Sequence, residues 1–420
     1  MFEQRTGIRA LGLILAAVAI AGMSGCSNTT PDPQGGDPVR VALSDTVEDI
    51  RANQAQGWGV QIPGLTAAAI TEDRATSSAA VASSTASASA PASASSTLNQ
   101  VVSGSQNPPG QIPLAAGDRF HVGSTTKSFT AALILQLDQE GELSLADPIS
   151  KWITYPNAKN ITVEMLLGHT SGIPNFIANP DRTATDSPQR LVKLSRADDP
   201  VFAPGTGWSY SNTNYIMLGI IAEQVTGATW AQEVKARFFD PLELRSTYVW
   251  EGSVQPPTVD GSRLNCGYPG QPDCVQQPGF TIIPIADGFD WTVAWAAGAI
   301  VSTSADLATW MRNLVAGEVL DPAHRALLTT PTPQSITALS DKPPYGTLRW
   351  TGGSLGLLQY KVDGQGTGWG HSGAIDGFVS NVVHMTDGGQ TVALTSNFEN
   401  TDSRAALGDL VIAVDAATPS

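Results

Sequence analysis

Cysteine and histidine are scarce, with three and five in 420 residues. That is too few for a zinc ribbon or an iron–sulfur cluster, which need several such ligands close together. Charge is scarce too, at 15% of residues, and leans acidic: 23 Lys and Arg against 38 Asp and Glu, a formal −15. So acidic a chain, with no basic cluster, does not suit a phosphate backbone, and nucleic acid drops out as a partner. What is present is apolar: 41% of residues are hydrophobic, enough for a sizeable core and too many for global disorder. The length suits one large domain or two interleaved ones.

The N-terminus carries an address. Arg5 and Arg9 precede an apolar run from Ala10 to Met23, followed by Ser24-Gly25-Cys26. A basic start, a short apolar stretch and small residues at its end describe an export signal. The run is shorter than the roughly 20 residues needed to cross a bilayer. A Cys directly after two small residues resembles the lipobox of bacterial lipoproteins, although Met23 stands where Leu or Val is usual. The resemblance implies a signal peptide over 1–25, lipidation of Cys26 and a location on the extracytoplasmic face of the cell membrane. Residues 26–43, polar and rich in Pro and Gly up to Asp37, then read as a flexible tether. An ordinary secretory signal with an incidental Cys is the plainer alternative. Cys266 and Cys274 lie eight apart in a Gly/Pro-rich loop, and in an exported protein they are expected to pair as a disulfide. Closing so short a loop stabilises by roughly 2–3 kcal/mol.

From residue 44 to 420 the pattern predicts one α/β (α+β) domain. Asp45 and Glu48 suggest a capping box for a helix reaching Gln56. Leu65–Ile70 and Leu98–Val102 read as strands. Between them, residues 76–96 are almost all Ala, Ser and Thr. They lack the bulky side chains that offset ordering entropy, so a disordered insertion is expected. Thr125–Glu140 has apolar residues at helical spacing, with Gly141 to stop it. A helical lobe is expected over about 146–289, with Tyr215–Val225 its clearest helix. A further helix starts near Ser304. Trp350–Tyr360, Gly377–Met385 and Thr391–Ser396 then read as strands and Arg404–Val414 as a closing helix. Strands at both ends with helices between predict a sheet interrupted by a helical lobe.

Two serine motifs compete for the chemistry. Ser124-Thr125-Thr126-Lys127 opens a helix, where residues three apart share a face and the N-terminus favours developing negative charge. With 36 serines and seven lysines in the chain, about 0.6 Ser-x-x-Lys matches arise by chance, so the motif alone is weak. Gly352-Gly353-Ser354-Leu355-Gly356 fits Gly-x-Ser-x-Gly, and Asp363 and His371 follow in the right order. A nucleophile elbow needs a helix after its Ser, and here a strand follows. That segment reads as a Gly-rich turn.

The surroundings of Ser124 decide between them. Phe120-His121-Val122-Gly123-Ser124-Thr125-Thr126-Lys127-Ser128-Phe129-Thr130 resembles the first motif of the serine β-lactamase and penicillin-binding-protein superfamily. The likeness is to its class C β-lactamase and D-alanyl-D-alanine carboxypeptidase branch. Further blocks follow in order: Leu166-Leu167-Gly168-His169-Thr170-Ser171-Gly172-Ile173, Tyr210-Ser211-Asn212, Asp240-Pro241-Leu242, Ala297-Gly298-Ala299 and Gly370-His371-Ser372-Gly373. The resemblance implies an antiparallel sheet flanked by helices with an inserted, mainly helical lobe.

It also implies roles. Ser124 is the expected nucleophile of an acyl-enzyme. Its proton goes either to a desolvated Lys127 or to a Tyr210 phenolate that Lys127 stabilises, and the sequence leaves both open. Asn212 binds the substrate amide and Lys127, while His371, Ser372 and Gly373 form the third motif. The oxyanion hole falls to the backbone N–H groups of Ser124 and Ala374. His169 is expected to be structural, and His121, His324 and His384 ordinary. No cofactor or metal is called for. A histidine at 371, where strong β-lactamases have Lys, holds a carboxylate less firmly. Arg349, and more weakly Lys361, are candidates to supply that charge. The expected activity is removal of D-alanine from cell-wall peptides or cleavage of related D-amino acid amides. The alternatives are an esterase for short acyl esters and a non-catalytic lipoprotein that binds cell-wall peptide.

Overall fold

The computed structural model describes residues 36–56, 60–72, 96–108, 110, 112–183, 186–252, 258–265, 281–285 and 291–419. Cys26, Cys266, Cys274, the signal segment and the Ala/Ser stretch apart from Ser96 lie outside them.

Twelve strands are numbered here in chain order. Seven form one antiparallel sheet in the order β2-β1-β12-β11-β10-β9-β8. They are β1 (Gly64–Glu72), β2 (Ser96–Gly104), β8 (Leu348–Gly353), β9 (Leu358–Val362), β10 (Gly366–Ile375), β11 (Phe378–Met385) and β12 (Thr391–Ser396). Chain ends that meet in one sheet make the domain continuous: Leu65 pairs with Ser396 and Ile70 with Thr391. Three short strands, β3 (Phe120–His121), β7 (Ile300–Ser302) and β4 (Tyr248–Val249), form a second sheet, and β5 (Ser262–Leu264) pairs with β6 (Ile282–Pro284).

The helices of a dozen residues or more are α1 (Pro38–Gln56), α2 (Thr126–Gln139), α3 (Asn212–Thr226), α4 (Ser304–Val315) and α5 (Ser403–Ala417). The sheet is covered on both faces. Leu65, Ala67 and Ala69 of β1 join α1 and α5 in one core, while Ala68 and Ile70 join α2, α3 and α4 in the other. Strands covered on both faces show no exposed alternation: every residue of β11 and β12 is buried, polar Ser380, Asn381 and Thr395 included.

Four expectations change. The tether foreseen to residue 43 ends sooner, because α1 begins at Pro38. Asp37 Oδ1 accepts the Val39 amide at 2.9 Å, proline sits in the first turn, and Val39 and Leu43 are buried. Trp350–Tyr360 is a hairpin rather than one strand. Gly356, at φ +121°, and the Ser354 amide bonded to the Leu357 carbonyl reverse the chain between β8 and β9. Beyond Phe239 the lobe over 146–289 stops being helical, and its described residues supply β4, β5 and β6 instead. Ser96, given to the insertion, is the first residue of β2.

Candidate active site

Ser124 stands on a single 3₁₀ turn, Gly123–Thr125, that feeds directly into α2. Gly123 has φ +49°, and a Cβ there would come within 2.9 Å of the Ala374 carbonyl. From the other side, a Cβ on Gly373 would fall 1.9 Å from the Val122 carbonyl and 3.0 Å from the Ser124 amide. The two glycines therefore let strand β10 touch the nucleophile turn, bringing the amides of Ser124 and Ala374 onto abutting backbone. Ser380 on β11 fastens the same turn: its Oγ donates to the Val122 carbonyl and meets Thr125 Oγ1, both at 2.8 Å.

Lys127, one turn further on, is fully buried. Its Nζ lies 2.6 Å from the Ala297 carbonyl, 2.7 Å from Asn212 Oδ1 and 3.1 Å from Ser124 Oγ. Burial drives its pKa well below the usual lysine value, favouring the neutral amine. A neutral amine has two N–H bonds and one lone pair. As an ammonium, Nζ donates to all three oxygens; as a neutral amine that donates to the Ala297 and Asn212 oxygens, it has its lone pair available to the serine hydroxyl.

Asn212 opens α3, and the strand-like turn before it carries Tyr210. His169 shapes that turn. It adopts φ +58°, its Nδ1 accepts the Ser211 amide at 3.2 Å, and its ring centre lies 4.5 Å from that of Tyr210. Lys127 Nζ sits 5.0 Å from the Tyr210 ring centre. The Tyr210 hydroxyl is buried and makes no aligned hydrogen bond. Burial pushes its pKa up, and the nearby Ser124 side chain only partly opposes this, so the phenol stays protonated.

His371, on β10, is buried, with Nδ1 2.6 Å from the Ser372 carbonyl. Burial, the larger cause, holds its pKa down to about 3, and Lys127 adds to this whenever it carries a proton. The imidazole is neutral at any ordinary pH. Ser124, Tyr210, His371, Ser372, Gly373 and Ala374 all line one cleft of about 780 Å³. The three separated motifs thus meet in one place.

Its carboxylate candidates are elsewhere. Arg349 pairs with Asp363 at 3.1 Å, Lys361 is exposed opposite it in register, and neither lines the cleft. The cations that do are Lys342 and Arg404. Arg404 lies 3.7 Å from the Tyr345 ring centre and 5.5 Å from that of Trp350, with Asp402 at 3.6 Å. Sequence reasoning missed this aromatic shelf, because strand periodicity cannot say which strand end faces the nucleophile. It also missed the Ala297 carbonyl, though a buried lysine in need of acceptors was a usable signal. Ser354 is a turn residue, buried and donating to the Leu328 carbonyl. His169 bonds a backbone amide, as expected, and His324 sits between Asp138 and Asp321.

A Ser-x-x-Lys turn with a buried lysine, facing a Tyr-x-Asn turn and a glycine-lined edge of an antiparallel sheet, defines a serine hydrolase of the penicillin-recognising kind. A family model described as Beta-lactamase matches residues 48–417, and the chain belongs to that family. It is 25% identical over 299 residues to penicillin-binding protein 4* of Bacillus subtilis (strain 168), covering 68% of this chain and 62% of that protein. A D-stereospecific amidohydrolase from Streptomyces sp. superposes with a TM-score of 0.64 at 27% identity, covering 88% of this chain and 96% of the other. A D-amino acid amidase from Ochrobactrum anthropi SV3, complexed with L-phenylalanine amide, shares the fold. Its TM-score is 0.70 at 22% identity, over 91% and 99% of the two chains.

Proposed function

We propose that the protein hydrolyses amides of D-amino acids through an acyl-enzyme on Ser124. The carrying observation is the placement of buried Lys127, whose Nζ lies 3.1 Å from Ser124 Oγ with Asn212 Oδ1 and the Ala297 carbonyl as its other partners, so that as a neutral amine it can take the serine proton. Ser124 Oγ attacks the scissile carbonyl carbon as its proton passes to Nζ. The Ser124 and Ala374 amides face the oxyanion that forms. Collapse expels the amine, which takes a proton from the new ammonium by way of the Tyr210 hydroxyl. Water then repeats the sequence on the ester, returning Ser124 and releasing the acid.

The substrate class follows from charge. A carboxypeptidase must hold a free carboxylate beside the scissile bond, but His371 is neutral, Arg404 is paired with Asp402, and Lys342, the other cation lining the cleft, is exposed to water, which screens its charge. That favours an amide, or a short ester, over a peptide ending in D-alanine. The D configuration is taken from the amidohydrolase and amidase that the chain resembles. A lipid anchor on Cys26 would place the reaction at the extracytoplasmic face of the cell membrane, and Cys26→Ser would then release the protein to the soluble fraction.

The test is a panel of D- and L-phenylalanine amide, a D-Ala-D-Ala peptide and p-nitrophenyl acetate, with intact-mass detection of the acyl-enzyme. The proposal expects turnover of the D-amide above the L-amide and the peptide, and none by Ser124→Ala. Turnover of the peptide alone would restore the carboxypeptidase reading, and turnover of the ester alone the esterase reading.

A further inference from the structure

A second cavity, of about 200 Å³, lies behind the catalytic turn, in the helical lobe. It is smaller than the roughly 300–1,000 Å³ of sites for drug-sized ligands. Its lining carries both signs of charge. The Arg196 guanidinium lies 5.5 Å from the Tyr155 ring centre and gives one donor to the Thr154 carbonyl, leaving others of its five free for a ligand. Asp198 and Asp199 line the same cavity, and no ion pair joins either to Arg196 among the described residues. Burial raises the Tyr155 pKa, the Arg196 charge opposes this and the Asp198 charge adds to it, so both charges act on one ring. Between them Ile161 and Ile173, both buried, supply an apolar floor.

The cavity wall is also the support of the active site. Ser171, which lines it, donates to Asn214 Oδ1 at 2.9 Å, and Asn214 Nδ2 meets His169 Nδ1 at 3.3 Å. The carbonyl of Pro174, another lining residue, accepts Ser211 Oγ at 3.2 Å and Thr213 Oγ1 at 2.7 Å. On its outer side the wall is hydrogen-bonded to the strap that carries the acids, Val201 N to Gly172 O at 2.9 Å. One loop, Ser171–Pro174, therefore separates the cavity from Tyr210-Ser211-Asn212.

We propose that this cavity binds a free α-amino acid as its zwitterion, carboxylate on Arg196 and ammonium on Asp198 or Asp199, and thereby alters turnover at Ser124. A cation, an anion and an apolar floor in a small space match the three parts of that molecule. That this amino acid is the enzyme's own product rests on the amidase reading; the binding itself does not. Coupling runs through the loop, since a ligand between loop and strap presses on the groups that hold Tyr210 and Asn212.

The full chain is titrated calorimetrically with D-alanine, D-leucine, D-phenylalanine and their L forms, and hydrolysis of p-nitrophenyl acetate is followed at each concentration. The expected result is binding that lowers kcat with little change in KM. Arg196→Gln and, separately, Asp198→Asn should raise the half-effect concentration about tenfold or more, as loss of a charge-assisted contact does. Both variants should keep turnover without added amino acid within about twofold, because neither residue touches the cleft. No binding to the intact chain overturns the proposal. So does purely competitive inhibition that neither variant weakens, which would mean that the amino acid binds only in the catalytic cleft. Arg196-dependent binding in a chain that hydrolyses no amide would instead sink the amidase reading and leave the site standing.

Discussion

At the scale of single residues the chemistry turns on the protonation of Lys127. A free lysine is charged at neutral pH and useless as a base; burial lowers its pKa and so favours the neutral amine. Activity should therefore fall as the pH drops through the lowered lysine pKa, giving an acidic limb in kcat/KM. His371 does not contribute near neutrality, since its pKa of about 3 lies well below. Asn212→Asp isolates the effect. It replaces a neutral acceptor 2.7 Å from Nζ with a carboxylate that holds the ammonium. The acidic limb should move to higher pH by about 1–3 on the pH scale, and activity at neutral pH should drop accordingly. An unchanged pH profile in an active, folded variant would remove Lys127 from the role of base. His169 works beside this pair by geometry alone, accepting a backbone amide from a left-handed conformation that most residues avoid.

At the scale of elements, function depends on how closely β10 approaches the turn before α2. Gly373 is the narrowest point, since a Cβ there would meet the Val122 carbonyl at 1.9 Å. Both partners are backbone, so relief requires the strand to move away from Ser124. Gly373→Ala should cost about 10²–10³ in kcat by parting the two oxyanion amides. Far-ultraviolet circular dichroism should stay near that of the parent, and an active Gly373→Ala would show that the pair is not needed. The elements themselves were largely legible in the sequence. The strands at 65–70, 378–385 and 391–396 and the helices from 126, 212, 304 and 403 fall within a few residues of their expected places. Their apolar residues recur at regular spacing, and the helices from 304 and 403 also carry side-chain caps, Thr303 and Asp402. The turn of the β8–β9 hairpin was legible as the Gly-rich segment Gly352–Gly356, but the strand expected over Trp350–Tyr360 ran straight across it, because apolar residues continue on both sides. The shelf of Tyr345, Trp350 and Arg404 was not legible, since it joins the nucleophile's cleft only when the closing helix packs back across the sheet edge.

At the scale of the whole molecule the sheet is assembled from both ends of the chain, so its stability depends on how those ends are covered. Helix α1 lies with α5 on one face, burying Val39, Leu43, Val47 and Ile50 against Leu407, Leu410 and Val411 in a shared core. The first two of these fall within the stretch that composition assigns to a tether. The distinction matters for any anchored form, since a tether can be shortened freely and a packed helix cannot. A chain beginning at Asp37 keeps the cap and all four side chains, and should melt with the full-length protein. One beginning at Ser44 loses the cap, the first turn and two buried side chains, at roughly 1.5–3 kcal/mol each. The resulting loss of about 3–6 kcal/mol is a large part of the 5–15 kcal/mol by which domains are ordinarily stable. Thermal melts of the two chains decide the matter. If they melt together, α1 is an ornament on the sheet, and the tether reaches residue 43 after all. If only the shorter one melts early, the folded body starts at Asp37, and in an anchored form any tether must be sought before it.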